Sequence, residues 1–436
     1  MIRTLLDTIS PRSVGRGQTW RGGWRALGSR VGGNTAWLLL ARLGVQVLMV
    51  LFTVVLARRL GESGLGAYAF IAAVIFLGNV LTTFGTDILV MRGVAARREY
   101  SLLPPALLLQ LILAAAFIAL VYLTAPALPG QSPEAVRALQ VYSLALVPMA
   151  FYTVFSAALR GAERMAAYMW INIALAAAQF GLVWLFIRPE SSLVGLAWLL
   201  LAAQVAAAIL AGLLCLAQLP GARRVWRSPF AGVPGLTRAS ILLATLGVLK
   251  VLYQRASVYL LATLGGAALT GWYSAALRPV EAAQFGHIAL LGALFPLMAQ
   301  AYTRGAPAEP GERRVFSLSW RLLLLLGGVA ALGLFVLAPV LVLLLFGPAF
   351  EPAIPALRLL AWMLLPYTVN IYLSTEMIAA GRERGVAVAL ALSLCVLVVL
   401  SAWWIPRWGL LGACWAALAA ELSQAALYLA LRGSSR

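Results

Sequence analysis

Two apolar stretches between residues 239 and 300 hold five residues that lipid accommodates poorly: Lys250, Arg255, Arg278, Glu281 and His287. Lys250 is the only lysine of the chain and His287 the only histidine. An ionisable side chain at the centre of a membrane helix costs roughly 3 kcal/mol on insertion scales, and such residues face a protein interior or a wet cavity. Helix rise sets Arg255 about 12 Å and Arg278 about 10 Å from the outer ends of their helices, with Glu281 at about 15 Å and Lys250 at about 20 Å. Two arginines at matched depth on neighbouring helices suit an anion such as phosphate or pyrophosphate, because the guanidinium fork matches its oxygens. The plainer alternative is that Glu281, three residues from Arg278 and on its face, neutralises one arginine while the other reaches toward the headgroups. Lys250, Gln254 and Ser257 share a stripe, and Arg255 points away from Lys250. His287, deeper still, reads first as a structural donor.

The first half of the chain has a quieter set. Arg42 and Gln46 share a face, and Asn79, Thr83 and Asp87 form a stripe one turn apart. Arg42 and Asp87 lie in the inner half of their helices and are expected to pair, as structure or as a gate. Glu421 is the remaining acid inside an apolar run and a candidate proton site. Arg42, Lys250, Arg255 and Arg278 are thus the substrate-binding candidates, and Glu281, Glu421 and Asp87 the ion-coupling candidates. Cys215, Cys395 and Cys414 lie in apolar runs at no metal-ligand spacing and are read as buried small hydrophobes. With one histidine, no phosphate-binding loop and glycines at 61, 64 and 66 that follow no strand, no enzyme motif and no metal site stand out.

These residues sit in a chain of 436 residues that is 63% hydrophobic and 11% charged. Apolar runs of about twenty residues recur throughout, the mark of an all-α polytopic membrane protein. Nothing alternates as a barrel would. About twelve spans are expected, near 36–57, 67–90, 104–124, 138–158, 166–187, 193–218, 239–263, 271–300, 318–346, 353–374, 386–406 and 409–431. The net charge of +19 lies mostly in short gaps between runs, where it sets topology and not nucleic-acid binding. Counting arginines makes both termini cytoplasmic, with Arg92, Arg97, Arg98, Arg223, Arg224, Arg227, Arg304, Arg313 and Arg314 inside; Arg58 and Arg59 are the misfit on the outer side. A faint repeat aligns Leu60-Gly61 and Gly66-Ala67-Tyr68 with Leu264-Gly265 and Gly271-Trp272-Tyr273. It also aligns Gly161-x-Glu163-Arg164 with Gly381-x-Glu383-Arg384, at offsets of roughly 205 and 220 residues. The division that follows is a basic cytoplasmic tail (1–35), a six-helix lobe (36–218), a basic linker (219–238), a second six-helix lobe (239–431) and a short tail (432–436). The lobes relate by a pseudo-two-fold axis along the membrane normal, with a central cavity between them near the midplane.

The sequence resembles the polysaccharide flippase family, Wzx-type, of the multidrug/oligosaccharidyl-lipid/polysaccharide exporter superfamily. The resemblance rests on Asn34, Trp37, Arg42, Ala57-Arg58-Arg59-Leu60-Gly61, Gly66-Ala67-Tyr68, Phe84-Gly85-Thr86-Asp87 with Arg92, Gly161-x-Glu163-Arg164, Leu345-Phe346-Gly347 with Phe350, and Gly381-Arg382. It implies a two-lobed fold whose cavity is lined largely by spans one, two, seven and eight. The implied activity is alternating-access flipping of a polyprenyl-pyrophosphate-linked oligosaccharide to the periplasmic leaflet of the bacterial inner membrane. It implies no cofactor beyond coupling to a proton or sodium gradient, and membrane lipids and other polysaccharide-assembly proteins as partners. The competing expectations are a peptidoglycan lipid-precursor flippase, a drug or cation exporter, and, in a different class, a membrane glycan polymerase or ligase. The short outer loops argue against the last.

Overall fold

The computed structural model describes residues 20–189, 191–223, 225–226, 233–303 and 310–433. The side chains of residues 20–42 and 299–314 lie outside that description, and with them Arg42, Arg304, Arg313 and Arg314. Most of the basic tail and Arg224 and Arg227 of the linker also lie outside it. The chain divides into two units, Met1–Gly44 and Val45–Arg436. The first is helical from Trp20 onward; the site and its supports belong to the second.

The described residues are almost wholly helical. In chain order the helices are α1 Trp20–Thr83, α2 Thr86–Arg97, α3 Leu103–Thr124, α4 Pro133–Ser143, α5 Leu146–Gly161, α6 Met165–Phe186 and α7 Leu193–Gln218. Then come α8 Val233–Leu264, α9 Gly266–Thr303, α10 Pro310–Leu345, α11 Ala353–Trp362, α12 Leu364–Ala379 and α13 Glu383–Gly433. Among the described residues seven helices are long and apolar enough to cross a membrane, nine when two bent pairs each count as one span. Two of the seven are far longer than a bilayer needs and break at a left-handed glycine: α1 at Gly61 (φ 68°) and α13 at Gly409 (φ 54°). A helix bundle of this kind presents apolar side chains outward as well as inward. Thus Leu325, Val329, Leu332 and Val336 of α10 are all more than half exposed, at three- and four-residue spacing.

The breaks have local causes. The expected spans 239–263 and 271–300 leave residues 264–270 between them, but α9 resumes at Gly266 (φ 84°), because one residue free to adopt positive φ reverses the chain. Gly66 and Gly271 do a different task. A Cβ on Gly66 would run into the Ala267 carbonyl, and one on Gly271 into the Glu62 carbonyl. Two helices therefore meet backbone to backbone, each through the glycine of the other's repeat unit. The left-handed pair Gly61 and Gly266 stands at the same separation as Gly66 and Gly271, which shifts the repeat register by one residue from the Gly61–Gly265 alignment. At the other repeat site, Arg164 N bonds Leu159 O and Arg382 N bonds Met377 O, with left-handed Glu163 and Gly381 just before them. These are matching helix C-caps. They align Glu163 with Gly381, two residues from the sequence alignment.

Two spans expected as regular helices are interrupted: α4–α5 by a short turn within the single span Pro133–Gly161, and α11–α12 by a 40° bend; the other bent pair lies within α8, between Ile241 and Leu243. The interruptions in α4–α5 and α11–α12 precede a proline, Pro148 and Pro366, whose missing N–H releases a carbonyl one turn back. Arg58 and Arg59, the topological misfits, are helix caps. Arg59 Nη1 donates to the carbonyls of Val183, Trp184 and Ile187 at the end of α6, and Arg58 Nε donates to Leu345 O at 2.8 Å at the end of α10. A cation at a helix C-terminus meets orphan carbonyls and the negative end of the dipole. Cys215 and Cys414 are buried as expected, whereas Cys395 is exposed on α13 among apolar neighbours.

Candidate functional site

The principal charged cluster forms where α8 and α9 run side by side. Arg255 Nη1 donates to Glu281 Oε1 at 3.2 Å, and Arg278 Nη1 donates to Glu281 Oε2 at 2.8 Å. One carboxylate thus bridges two guanidiniums, each side chain remaining between 25 and 28% exposed. Arg255 also lies over the ring of Phe76 from α1, its guanidinium carbon 5.4 Å from the centroid. Of the two alternatives weighed for Glu281, neither holds alone: it neutralises one positive charge but holds both arginines. The cluster keeps one net positive charge.

Arg255 and Glu281 line a cavity of about 620 Å³ that continues past Lys250, Gln254, Gln284, Tyr367 and Glu421. All its described lining comes from Lys250 onward, from α8, α9, α12, α13 and Met363. Of the spans expected to line a central cavity, seven and eight (α8 and α9) border this space, and Phe76 of span two reaches it indirectly through its contact with Arg255. Lys250 and Arg255, expected on opposed faces of their helix, both reach this space, because the cavity wraps around α8. Among the described residues Lys250 makes no ion pair.

Glu421, from α13, lies at the cavity wall and is 8% exposed. Asn370 Nδ2 donates to Glu421 Oε2 at 2.6 Å and to its backbone carbonyl at 2.9 Å. Asn370, which sequence reasoning passed over, therefore fixes the one acid of α13 that faces the cavity; its only signal was an amide in an apolar run. His287 is fully buried beside the cavity and does not line it. Its Nε2 is 2.9 Å from Thr368 Oγ1, and its ring meets Tyr367 edge to face at 5.9 Å. It ties α9 to α12, the structural role expected of it.

The first-half set assembles differently. Asp87 pairs with Arg160 of α5, Nη2 to Oδ2 at 3.4 Å; the side chain of its expected partner Arg42 lies outside the description. Arg160 stands in the last turn of α5, just before the C-cap, and it also covers the ring of Tyr168 at 5.3 Å. Asn79, Thr83, Asp87 and Arg160 border a smaller cavity of about 300 Å³, closed on its far side by Leu243, Ala244 and Gly247 of α8. The expected stripe on span two is therefore real as a lining. Its partner is an arginine that looked like a loop charge.

The profile of the polysaccharide biosynthesis protein family matches residues 31–302. No curated protein matches the chain. Among solved structures, an inward-facing multidrug resistance MATE family transporter of the MOP superfamily aligns with a TM-score of 0.71 at 16% identity, over 91% of this chain and 98% of that one. A lipid II flippase, MurJ, in an inward closed conformation aligns with a TM-score of 0.69 at 11% identity, over 89% of this chain and 86% of that one. A MOP superfamily transporter from Pyrococcus furiosus, described by the reverse polarity of its binding pocket, aligns with a TM-score of 0.66 at 16% identity, over 91% and 93%. The chain is thus a multi-pass membrane protein with the fold of MOP superfamily transporters, and it belongs to the polysaccharide biosynthesis protein family.

Proposed function

We propose that this protein moves a polyprenyl-pyrophosphate-linked oligosaccharide from the cytoplasmic to the outer leaflet of a bacterial inner membrane, by alternating access of two six-helix lobes. The observation that carries the proposal is the charge of the large cavity. It holds Lys250 and Arg255 against Glu281 and Glu421, with Arg278 outside the lining but bound to Glu281 from behind, in a chain of the polysaccharide biosynthesis family. An exporter of cations would place unpaired acids there. Arg255 and Arg278 would receive the phosphates, Lys250 would add charge along the wall, and the amides and tyrosines of the cavity would meet sugar hydroxyls. Glu421, held by Asn370, is the candidate for coupling to an ion gradient. Twelve spans in this account are α1 and α13 each divided at its glycine, α4–α5 and α11–α12 each taken as one span, and the remaining long helices with α2 completing the second. Reciprocal packing at Gly66 and Gly271 supports the lobes' two-fold relation. Both termini would be cytoplasmic, the 1–35 and 432–436 tails flanking lobes at 36–218 and 239–431 joined by the 219–238 linker. The test is deletion of the gene followed by identification of the lipid-linked intermediate that accumulates. A polyprenyl-linked glycan on the cytoplasmic leaflet is expected, and no change in any lipid-linked glycan would refute the proposal.

A peptidoglycan lipid precursor is the second substrate to weigh, favoured by the fold shared with MurJ. Complementation separates the two: rescue of cells depleted of their lipid II flippase would select the precursor, and rescue of surface glycan alone the oligosaccharide.

A further inference from the structure

The unused donors of Arg255 and Arg278 lead beyond the assignment of the two arginines as phosphate contacts. A guanidinium carries five N–H groups in one plane. Each arginine spends a single nitrogen on Glu281, and among the described residues neither makes any other hydrogen bond or ion pair. None of their remaining nitrogens is among the buried polar atoms left without a partner. Those donors therefore keep accessible surface, Arg255 on the wall of the large cavity and Arg278 beside it through Glu281, and two forks are left mostly empty around a carboxylate that can fill neither.

We propose that Glu281 is an internal anion seated where the substrate's phosphate goes, so that substrate binds by exchange with Glu281 and not by addition. This rests on the proposed function, in which the two arginines receive phosphate. A pyrophosphate has more oxygens and more charge than a carboxylate and can satisfy both forks at once. The displaced carboxylate stays on α9, one turn from Arg278, and Lys250 on the same cavity wall has, among the described residues, no ion pair of its own to lose. Tethering matters for release. A competitor fixed to the same helix acts at a high effective concentration. When the lobes reorient, Glu281 closing back on the arginines expels the phosphate into the outer leaflet. An arginine pair without this carboxylate would bind the carrier lipid well and let it go slowly.

The experiment is binding of inorganic pyrophosphate to the purified full-length protein in an uncharged detergent, where no lipid phosphate competes. Glu281→Gln is expected to tighten binding roughly tenfold or more, the effect of removing a charged competitor. Glu281→Asp, too short to hold both arginines, is expected to fall between the two. Arg255→Ala/Arg278→Ala is expected to abolish binding in either background. If Glu281→Gln elutes as a single folded species yet binds pyrophosphate no tighter than the parent, while the double-alanine variant loses it, the exchange is wrong and the phosphate role of the arginines stands. If the double-alanine variant binds as well as the parent, or neither parent nor Glu281→Gln binds at all, the phosphate role itself falls. Should Glu281→Gln not yield folded protein, Glu281→Asp decides by the same comparison.

Discussion

The two halves of the molecule build charged clusters from the same parts and reach opposite balances. In the first half, among the described residues, Asp87 meets one arginine, Arg160, at 3.4 Å beside a cavity of about 300 Å³. In the second half Glu281 is divided between Arg255 and Arg278 at 3.2 and 2.8 Å, beside a cavity of about 620 Å³. A one-to-one pair is electrically closed: it holds helices together and offers little to an anion. A two-to-one cluster keeps a positive charge in a low-dielectric setting, where it costs free energy unless an anion comes to it. The division of labour follows. The first half supplies a latch, and the second half supplies the seat.

Changing the ratios breaks the comparison. Arg278→Ala turns the second-half cluster into a one-to-one pair like that of the first half. It is expected to reduce glycan export to near background with the protein still inserted, measured as surface glycan against membrane protein amount; export above half of normal would contradict the contrast. Arg278→Lys keeps the charge and loses the fork, so it should recover only part of the export. Next in size is Gly271→Ala. Its Cβ meets the Glu62 carbonyl, overpacking that costs about 1–3 kcal/mol and opposes closure between the two glycine-bearing helices. Cysteine cross-linking across the two helix ends should fall, and unchanged cross-linking would remove these glycines from the account. Glu421→Gln keeps an acceptor for Asn370 while removing the carboxylate. Transport by this variant should no longer respond to collapse of the proton gradient, and a full response would end the coupling role of Glu421. The smallest effect belongs to the first half. Asp87→Asn leaves Arg160 unpaired but gives it no large cavity to serve, so export should stay within about twofold of normal, with about 1 kcal/mol lost in thermal stability. Loss of export in a stable Asp87→Asn protein would make the latch part of the seat.

Much of the frame is legible in the residues, and the reasons are local. α3, α6 and α7 begin and end within a residue or two of the expected spans, because Pro104–Pro105, Arg164 and the Ser192 cap mark their ends. Arg255, Arg278 and Glu281 could be singled out because charge in an apolar run has few bland explanations. Three other features needed the fold. Arg160 sits next to the Gly161–Arg164 turn and reads as one more inner-loop base; only the packing of α5 on α2 carries it to Asp87. The location of the cavity depends on how α8, α9, α12 and α13 splay, which no periodicity encodes. Asn370 looked neutral because an amide acquires meaning only from what it touches, here Glu421. Pro148 and Pro366 did carry a signal for the two broken spans, since each removes the bond that would have joined the pieces.

The most direct test of the account is the leaflet in which the lipid-linked oligosaccharide resides when Arg255 and Arg278 are both alanine and the protein is inserted at its normal amount. Labelling of the glycan from the outer face of intact cells, compared with labelling after permeabilisation, reads this. The lipid is expected to accumulate on the cytoplasmic side and to be reached only after permeabilisation. Normal labelling from the outside in that variant would contradict the claim that these two arginines carry the phosphate of the substrate.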